Sequence, residues 1–278
     1  MARKIITGAT LPFVKRITIL GQTVDVDEMS LKCGVKAIEG LSLLRLADCH
    51  SAVAMKLPKS GVSFIRFEVA PGDPQISQGW RAELRDMYVA KNGEEVWYRF
   101  STLLPSTTAL KAAHRVVTAQ WHEEMPLGKP HKRPPLAHRQ VNGGFAVTLW
   151  DTAVFDASKG AGDGVQLVWE PRYETGVIHE YVYRIVWRQD AAGLVMAWQR
   201  KHVCSGNERT CTVGAWQAFI DRSGPIGFVD ADGYYFKFGV YTTHPFSQPL
   251  VVYHRGYRRG PDATSVGATE PVFRRRKS

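Results

Sequence analysis

From residue 62 onward the chain breaks into short runs rich in β-branched and aromatic residues, each closed off by glycine, proline or asparagine. The runs fall at 62–69, 81–89, 95–104, 116–122, 145–150, 165–170, 181–187, 194–200, 234–241 and 250–253. Between them stand turn-forming groups such as Pro71-Gly72-Asp73-Pro74, Asn92-Gly93, Asn142-Gly143-Gly144 and Gly224-Pro225-Ile226-Gly227, whose residues either tolerate positive φ or fix it. Only 107–114 looks helical, and it is short, whereas a parallel sheet needs a long crossover between strands. Strands at this spacing therefore pair antiparallel. The expected fold is all-β, a β-jelly-roll sandwich of two antiparallel sheets with one concave face.

A length of 278 residues suits one such sandwich, and no internal repeat divides it, so a single domain over 1–278 is expected. Residues 1–60 read as an N-terminal extension, in which 13–20 alternates as a strand and 41–47 fits a short helix or a buried strand equally well. Residues 265–278 end in Arg274-Arg275-Arg276-Lys277 and read as a flexible basic tail. With Arg255, Arg258 and Arg259 this tail carries much of the formal net charge of +10, which favours a polyanionic partner, either nucleic acid or an acidic polysaccharide. No apolar run is long enough to span a bilayer, and no classical export leader is visible at the N-terminus. Cys204 and Cys211 could close a hairpin in an oxidising compartment; idle thiols are the plainer reading for them and for Cys33 and Cys49.

Three of the strands carry chemistry on one side. In Tyr235-Phe236-Lys237-Phe238-Gly239-Val240-Tyr241 the period-2 alternation puts Tyr235, Lys237 and Tyr241 on one face and Phe236, Phe238 and Val240 on the other. In Arg81-Ala82-Glu83-Leu84-Arg85 the charged residues share a face, and in Gln120-Trp121-His122 the amide and the imidazole do. Each pattern alone has an ordinary explanation, a cross-strand ion pair or a structural histidine. Together, on one concave surface, they can hold a carboxylate and move protons. Residues 129–139 form a basic, proline-stiffened loop, which fits the lining of a groove for an anion and a merely solvated loop about equally.

The order Arg-x-Glu-Leu-Arg, Gln-x-His, Tyr-Phe-Lys-x-Gly-x-Tyr resembles the jelly-roll polysaccharide lyases, which include alginate lyases, glucuronan lyases and heparin lyase I. Trp97-Tyr98-Arg99-Phe100, Arg133-Pro134-Pro135-Leu136 and Gly224-Pro225-Ile226-Gly227 lean toward the heparin lyase I and glucuronan lyase branch, and the resemblance covers 62–243. Thr243 and Trp121 depart from the usual alginate lyase pattern, which puts alginate itself in doubt as the substrate.

The resemblance implies a concave substrate-binding face and β-elimination on a uronic-acid-containing anionic polysaccharide. Gln120 and Arg81 would neutralise the sugar carboxylate, His122 or Tyr241 would take the ring proton, and Tyr241 would protonate the departing oxygen. Lys237, Arg85, Glu83 and Tyr235 would contact substrate or support these groups, Lys237 by favouring the Tyr241 phenolate and Glu83 by orienting the arginines. Gly239 reads as room for a sugar ring. No cofactor or catalytic metal is required, although some relatives carry a structural calcium ion. The expected protein is a monomer with no nucleic-acid or membrane partner; an exopolysaccharide substrate lies outside the cell, yet with no export leader visible a non-classical route, a phage-borne protein and an intracellular role all stay open. A hydrolase would need two carboxylates across the scissile bond, and no strand offers them. A non-catalytic, lectin-like carbohydrate-binding protein is the alternative, since sandwiches host both functions.

Overall fold

The computed structural model describes strands at 16–19, 22–25, 44–48 and 52–56 and, between 63 and 273, all residues except 74, 76–78, 87, 106–112, 130–131, 142–143, 152–164, 171–172 and 205–210. The expected helix at 107–114 lies almost wholly outside the described residues. In chain order the strands begin β1 (Arg16–Ile19), β2 (Gln22–Asp25), β3 (Leu44–Asp48), β4 (Ala52–Lys56), β5 (Ser63–Val69) and β6 (Trp80–Asp86). They continue as β7 (Glu95–Leu103), β8 (Arg115–Glu124), β9 (Leu136–Val141), β10 (Gly144–Asp151), β11 (Val165–Trp169) and β12 (Ile178–Val186). The last are β13 (Leu194–Cys204), β14 (Cys211–Val213), β15 (Gln217–Ser223), β16 (Gly233–Thr242) and β17 (Leu250–Gly260).

Two antiparallel sheets make a jelly-roll sandwich. One is seven-stranded, in the order β11-β10-β9-β8-β16-β6-β3. The other is eight-stranded, β14-β13-β12-β7-β17-β5-β4 with β15 also paired to β13. β16, from late in the chain, inserts between β8 and β6, and this long-range pairing brings the three motif strands side by side.

Between the sheets the core is aromatic. Phe236 and Phe238 of β16 meet Phe100, Trp121 and Tyr257 at ring-centroid distances of 4.8–5.4 Å. Each such fully buried ring stabilises the fold by roughly 1.5–3 kcal/mol. This explains why the alternation of β16 is strict: a one-residue slip would bring Tyr235, Lys237 and Tyr241 into that core.

Several expectations change. Residues 44–48 form a strand, and β3 and β4 are edge strands of the two sheets, so this part of the N-terminal extension belongs to the sandwich. The end of the basic loop at 129–139 is strand β9, and the chain is packed beyond 265. There Val266, Ala268 and Phe273 are buried against Trp97 and Trp198, with Phe273 edge-on to Trp198 at 5.1 Å. The apolar residues between the charges account for this, and 274–278 lie outside the described residues. Arg259 is likewise pinned, 2.8 Å from the buried Asp86, and does not join a free basic patch. Cys211 is disulfide-bonded, and β14 sets it directly opposite Cys204, so the idle-thiol reading fails there.

Candidate active site

Strand register decides which polar side chains meet. Across β16 and β6, Lys237 lies opposite Arg85, Gly239 opposite Glu83 and Tyr241 opposite Arg81. Across β16 and β8, Tyr235 lies opposite His122 and Lys237 opposite Gln120. All the residues expected at the site therefore share the outer face of the seven-stranded sheet.

That face is polar and yet largely shut. Arg81 is 8% exposed, Glu83 1%, Gln120 2%, Tyr235 5% and Lys237 7%. The outer face of an antiparallel sheet is commonly wet. Here, the long side chains cover one another, and the members left half-buried are Arg85, His122 and Tyr241. The open positions thus include both proton-transfer candidates.

At the centre stands Glu83. Its Oε1 accepts a 2.6 Å hydrogen bond from the Gln120 amide, while Oε2 lies 3.5 Å from Lys237 Nζ and 3.9 Å from Arg81 Nη1. A buried carboxylate needs such partners, and they in turn need it, because an unmatched charge in a low-dielectric site is costly. Glu83 therefore fixes the directions of an amide, an ammonium and a guanidinium. Lys237 is turned to Glu83, so it is not placed as the residue that sets the field at Tyr241.

The two ends of the face differ. At one end the His122 ring stacks with Tyr235 at 5.7 Å, and its Nδ1 lies 3.0 Å from the carboxylate of Glu123, which is fully buried. A Nδ1 proton donated to the Glu123 backbone carbonyl oxygen, 3.4 Å away, leaves the Nε2 lone pair for a base. Arg85 lies over the Tyr235 ring at 3.6 Å and pairs with Glu124, and burial raises the Tyr235 pKa. At the other end the Arg81 guanidinium lies over the Tyr241 ring at 4.2 Å. One edge of that ring lies against Gly79, where an added Cβ would fall 2.4 Å from Tyr241 Cε2. Tyr241 also interacts with the charges of Arg115 and Arg139.

The sequence patterns do not point to Gly79, Arg115 or Glu123, and they reach Arg139 only as the end of the basic loop at 129–139. Glu123 directly follows the Gln-x-His motif, and Arg139 alternates correctly once 136–141 is read as a strand. Gly239 needs a different account from the one expected. It has a φ of 148°, and an added Cβ would lie 2.1 Å from the Ala82 carbonyl oxygen of β6. The missing side chain makes room for the neighbouring strand at a break in the β16–β8 register, not for a ligand. Among the described residues no group of three or more His, Cys, Asp or Glu is placed to hold a metal ion.

The model of the family described as polysaccharide lyase matches residues 51–258. Among solved structures, the endo-β-1,4-glucuronan lyase of the fungus Trichoderma reesei is similar with a TM-score of 0.60 and 14% identity, over 85% of this chain and 97% of that one. The alginate lyase of Aplysia kurodai gives a TM-score of 0.48 and 10% identity over 76% and 87%. No curated protein matches by sequence.

Proposed function

The chain belongs to the polysaccharide lyase family, and from that premise we propose that it cleaves a uronic-acid-containing anionic polysaccharide by β-elimination at the face described above. The observation that carries the reading is the buried Arg81–Glu83–Gln120–Lys237 cluster flanked by the half-open Tyr241 and His122. The ring proton beside a sugar carboxylate is a weak acid because its loss adds negative charge to a group already negative. Fixed donors aimed at that carboxylate remove this obstacle, and they act most strongly where water is excluded.

Arg81 and Gln120, oriented by Glu83, take the carboxylate. The proton leaves the carbon next to the carboxylate for His122 or Tyr241, and its bonding pair becomes the new carbon–carbon double bond. The glycosidic carbon–oxygen bond then breaks, and Tyr241 protonates the departing oxygen. Negative charge passing over Tyr241 falls beside the guanidinium of Arg81, 4.2 Å from the ring centroid. Because register sets His122 beside Tyr235 and Tyr241 beside Arg81, His122→Ala separates the two candidate bases. Loss of turnover as complete as in Tyr241→Phe assigns the base to His122, and a modest loss assigns both transfers to Tyr241.

The glucuronan and alginate lyases among the similar structures make polyuronates the first substrates to try. With a panel of polyuronates and glycosaminoglycans, at least one polymer should show rising ultraviolet absorbance from the unsaturated product. Tyr241→Phe should abolish that rise and keep binding. Binding without any rise across the panel would refute the lyase reading in favour of a carbohydrate-binding protein.

A further inference from the structure

Beyond Tyr241, away from Arg81, the face continues into a second group of cations that the elimination chemistry does not require. One lateral row runs across four strands: Arg81 of β6, Tyr241 of β16, Val117 of β8 and Arg139 of β9 are successive partners. At about 4.8 Å per strand, the Arg139 backbone is roughly 10 Å from that of Tyr241, within reach of two long side chains. Arg115 lies two residues from Val117 on the same strand, and Arg133 stacks over Trp150 at 4.9 Å.

Arg139 is 3% exposed. Its Nε donates to Thr148 Oγ1 at 2.8 Å, but its Nη2 is buried with no hydrogen-bond partner. Among the described residues no carboxylate pairs with Arg139 or Arg115. Burial lowers the Arg139 pKa to about 9, Arg115 and Arg133 push it the same way, and only Tyr241 opposes them. Burial lowers Arg115 as well. Folded proteins pair their buried charges, so a buried guanidinium with a free donor beside further cations is a site built for an anion that arrives from outside.

We propose that Arg139 and Arg115 form a subsite for the carboxylate of the sugar on the far side of the scissile bond, so that the preferred substrate carries acidic sugars in succession. This deepens the lyase reading and rests on it for the position of the bond. Tyr241, between Arg81 and Arg139 in the row, then faces the oxygen joining two acidic sugars. A polymer that alternates acidic with neutral sugars leaves the second subsite empty.

The test measures binding of a 1,4-linked tetraglucuronate to Tyr241→Phe protein with and without Arg139→Gln or Arg115→Gln, alongside turnover of polyglucuronate and hyaluronan by the single variants. Each Arg variant should weaken tetraglucuronate binding by about 10- to 100-fold, the usual worth of a hydrogen bond to a charged group. It should raise KM for polyglucuronate in proportion, and by a larger factor than for hyaluronan. Arg139→Gln keeps a donor for Thr148, and the more accessible Arg115→Gln supplies the answer if the first variant does not fold. Unchanged tetraglucuronate binding in the folded variants overturns the subsite even if polyglucuronate is cleaved. Weakened binding with no turnover of any polymer by the unaltered protein keeps the subsite and refutes the lyase reading.

Discussion

Gly79→Ala tests whether the position of Tyr241, apart from its chemistry, limits turnover. The new Cβ would stand 2.4 Å from Tyr241 Cε2 and 2.9 Å from the Thr242 carbonyl oxygen, against 3.4 Å for ordinary contact, so something must move by about 1.0 Å. Thr242 is tied down, because its Oγ1 donates to the Arg115 carbonyl at 2.6 Å. The Tyr241 ring is the freer party, and any shift of it changes its stacking with the Arg81 guanidinium, 4.2 Å from its centroid. Overpacking of this kind costs about 1–3 kcal/mol of stability. A displacement of about 1 Å at a proton-transfer group costs about a hundredfold in rate. We expect Gly79→Ala to fold, to melt a few degrees lower, and to lose about two orders of magnitude in kcat with its binding of substrate largely kept. Gly144→Ala, whose Cβ would meet only the Val141 oxygen at an ordinary 3.5 Å, is the control and should change neither quantity. Turnover by Gly79→Ala within threefold of the unaltered protein, with Tyr241→Phe inactive, would show that the glycine does not hold the ring.

Glu83→Gln keeps an acceptor for Gln120 and deletes the charge facing Lys237 and Arg81. Breaking a buried ion pair on one side costs about 3 kcal/mol, or roughly 6–12 °C in Tm for a chain of this size, and turnover should fall with it; an unaltered melting curve would contradict the hub. Acid should unfold the protein through histidines held neutral. Burial lowers His254 to about 4, and burial with the charge of His254 lowers His138 to about 3, from an ordinary 6.5. Between those values the unfolded chain binds protons that the folded one refuses, so stability is full above pH 6.5 and lost as pH falls toward 4. Two such groups should cost roughly 5 kcal/mol by pH 4.5, read as a falling denaturant midpoint, and a midpoint flat from pH 8 to 4.5 would refute the account.

The sandwich was legible because period-2 alternation and turn residues are local signals, and ten of its strands read directly from them. β9 was hidden because Leu136-Ala137-His138-Arg139 follows Pro134-Pro135 and carries charge. What makes it a strand is tertiary: His138 bonds the Tyr183 hydroxyl at 2.5 Å inside the core, and Arg139 bonds Thr148 of the next strand. The same limit governs the site. Alternation put the right residues on one face, but which of them touch depends on register, and register depends on partners distant in sequence. Alternation alone offers Lys237 to Tyr241 or to a substrate, where register turns it to Glu83, and offers Gly239 as space for a ligand, where the β6 backbone fills it.

Burial of the polar face argues against a sheet that only binds. Sequestering Arg81, Glu83, Gln120 and Lys237 below 10% exposure costs folding free energy, since each must give up water for a protein partner. Recognition of an acidic sugar does not require that cost, because exposed arginines on rigid strands form bidentate contacts with carboxylates perfectly well. Catalysis does have a use for it. Charge that develops only in the transition state is stabilised by donors that are already fixed and already dry, since no reorganisation is needed when the charge appears. In this sheet the fixed, dry groups include Arg81 and Gln120, proposed to hold the carboxylate, and the half-buried groups include the two proposed to move protons. That division follows from the strand register and burial, and it is what an elimination at a uronic acid demands.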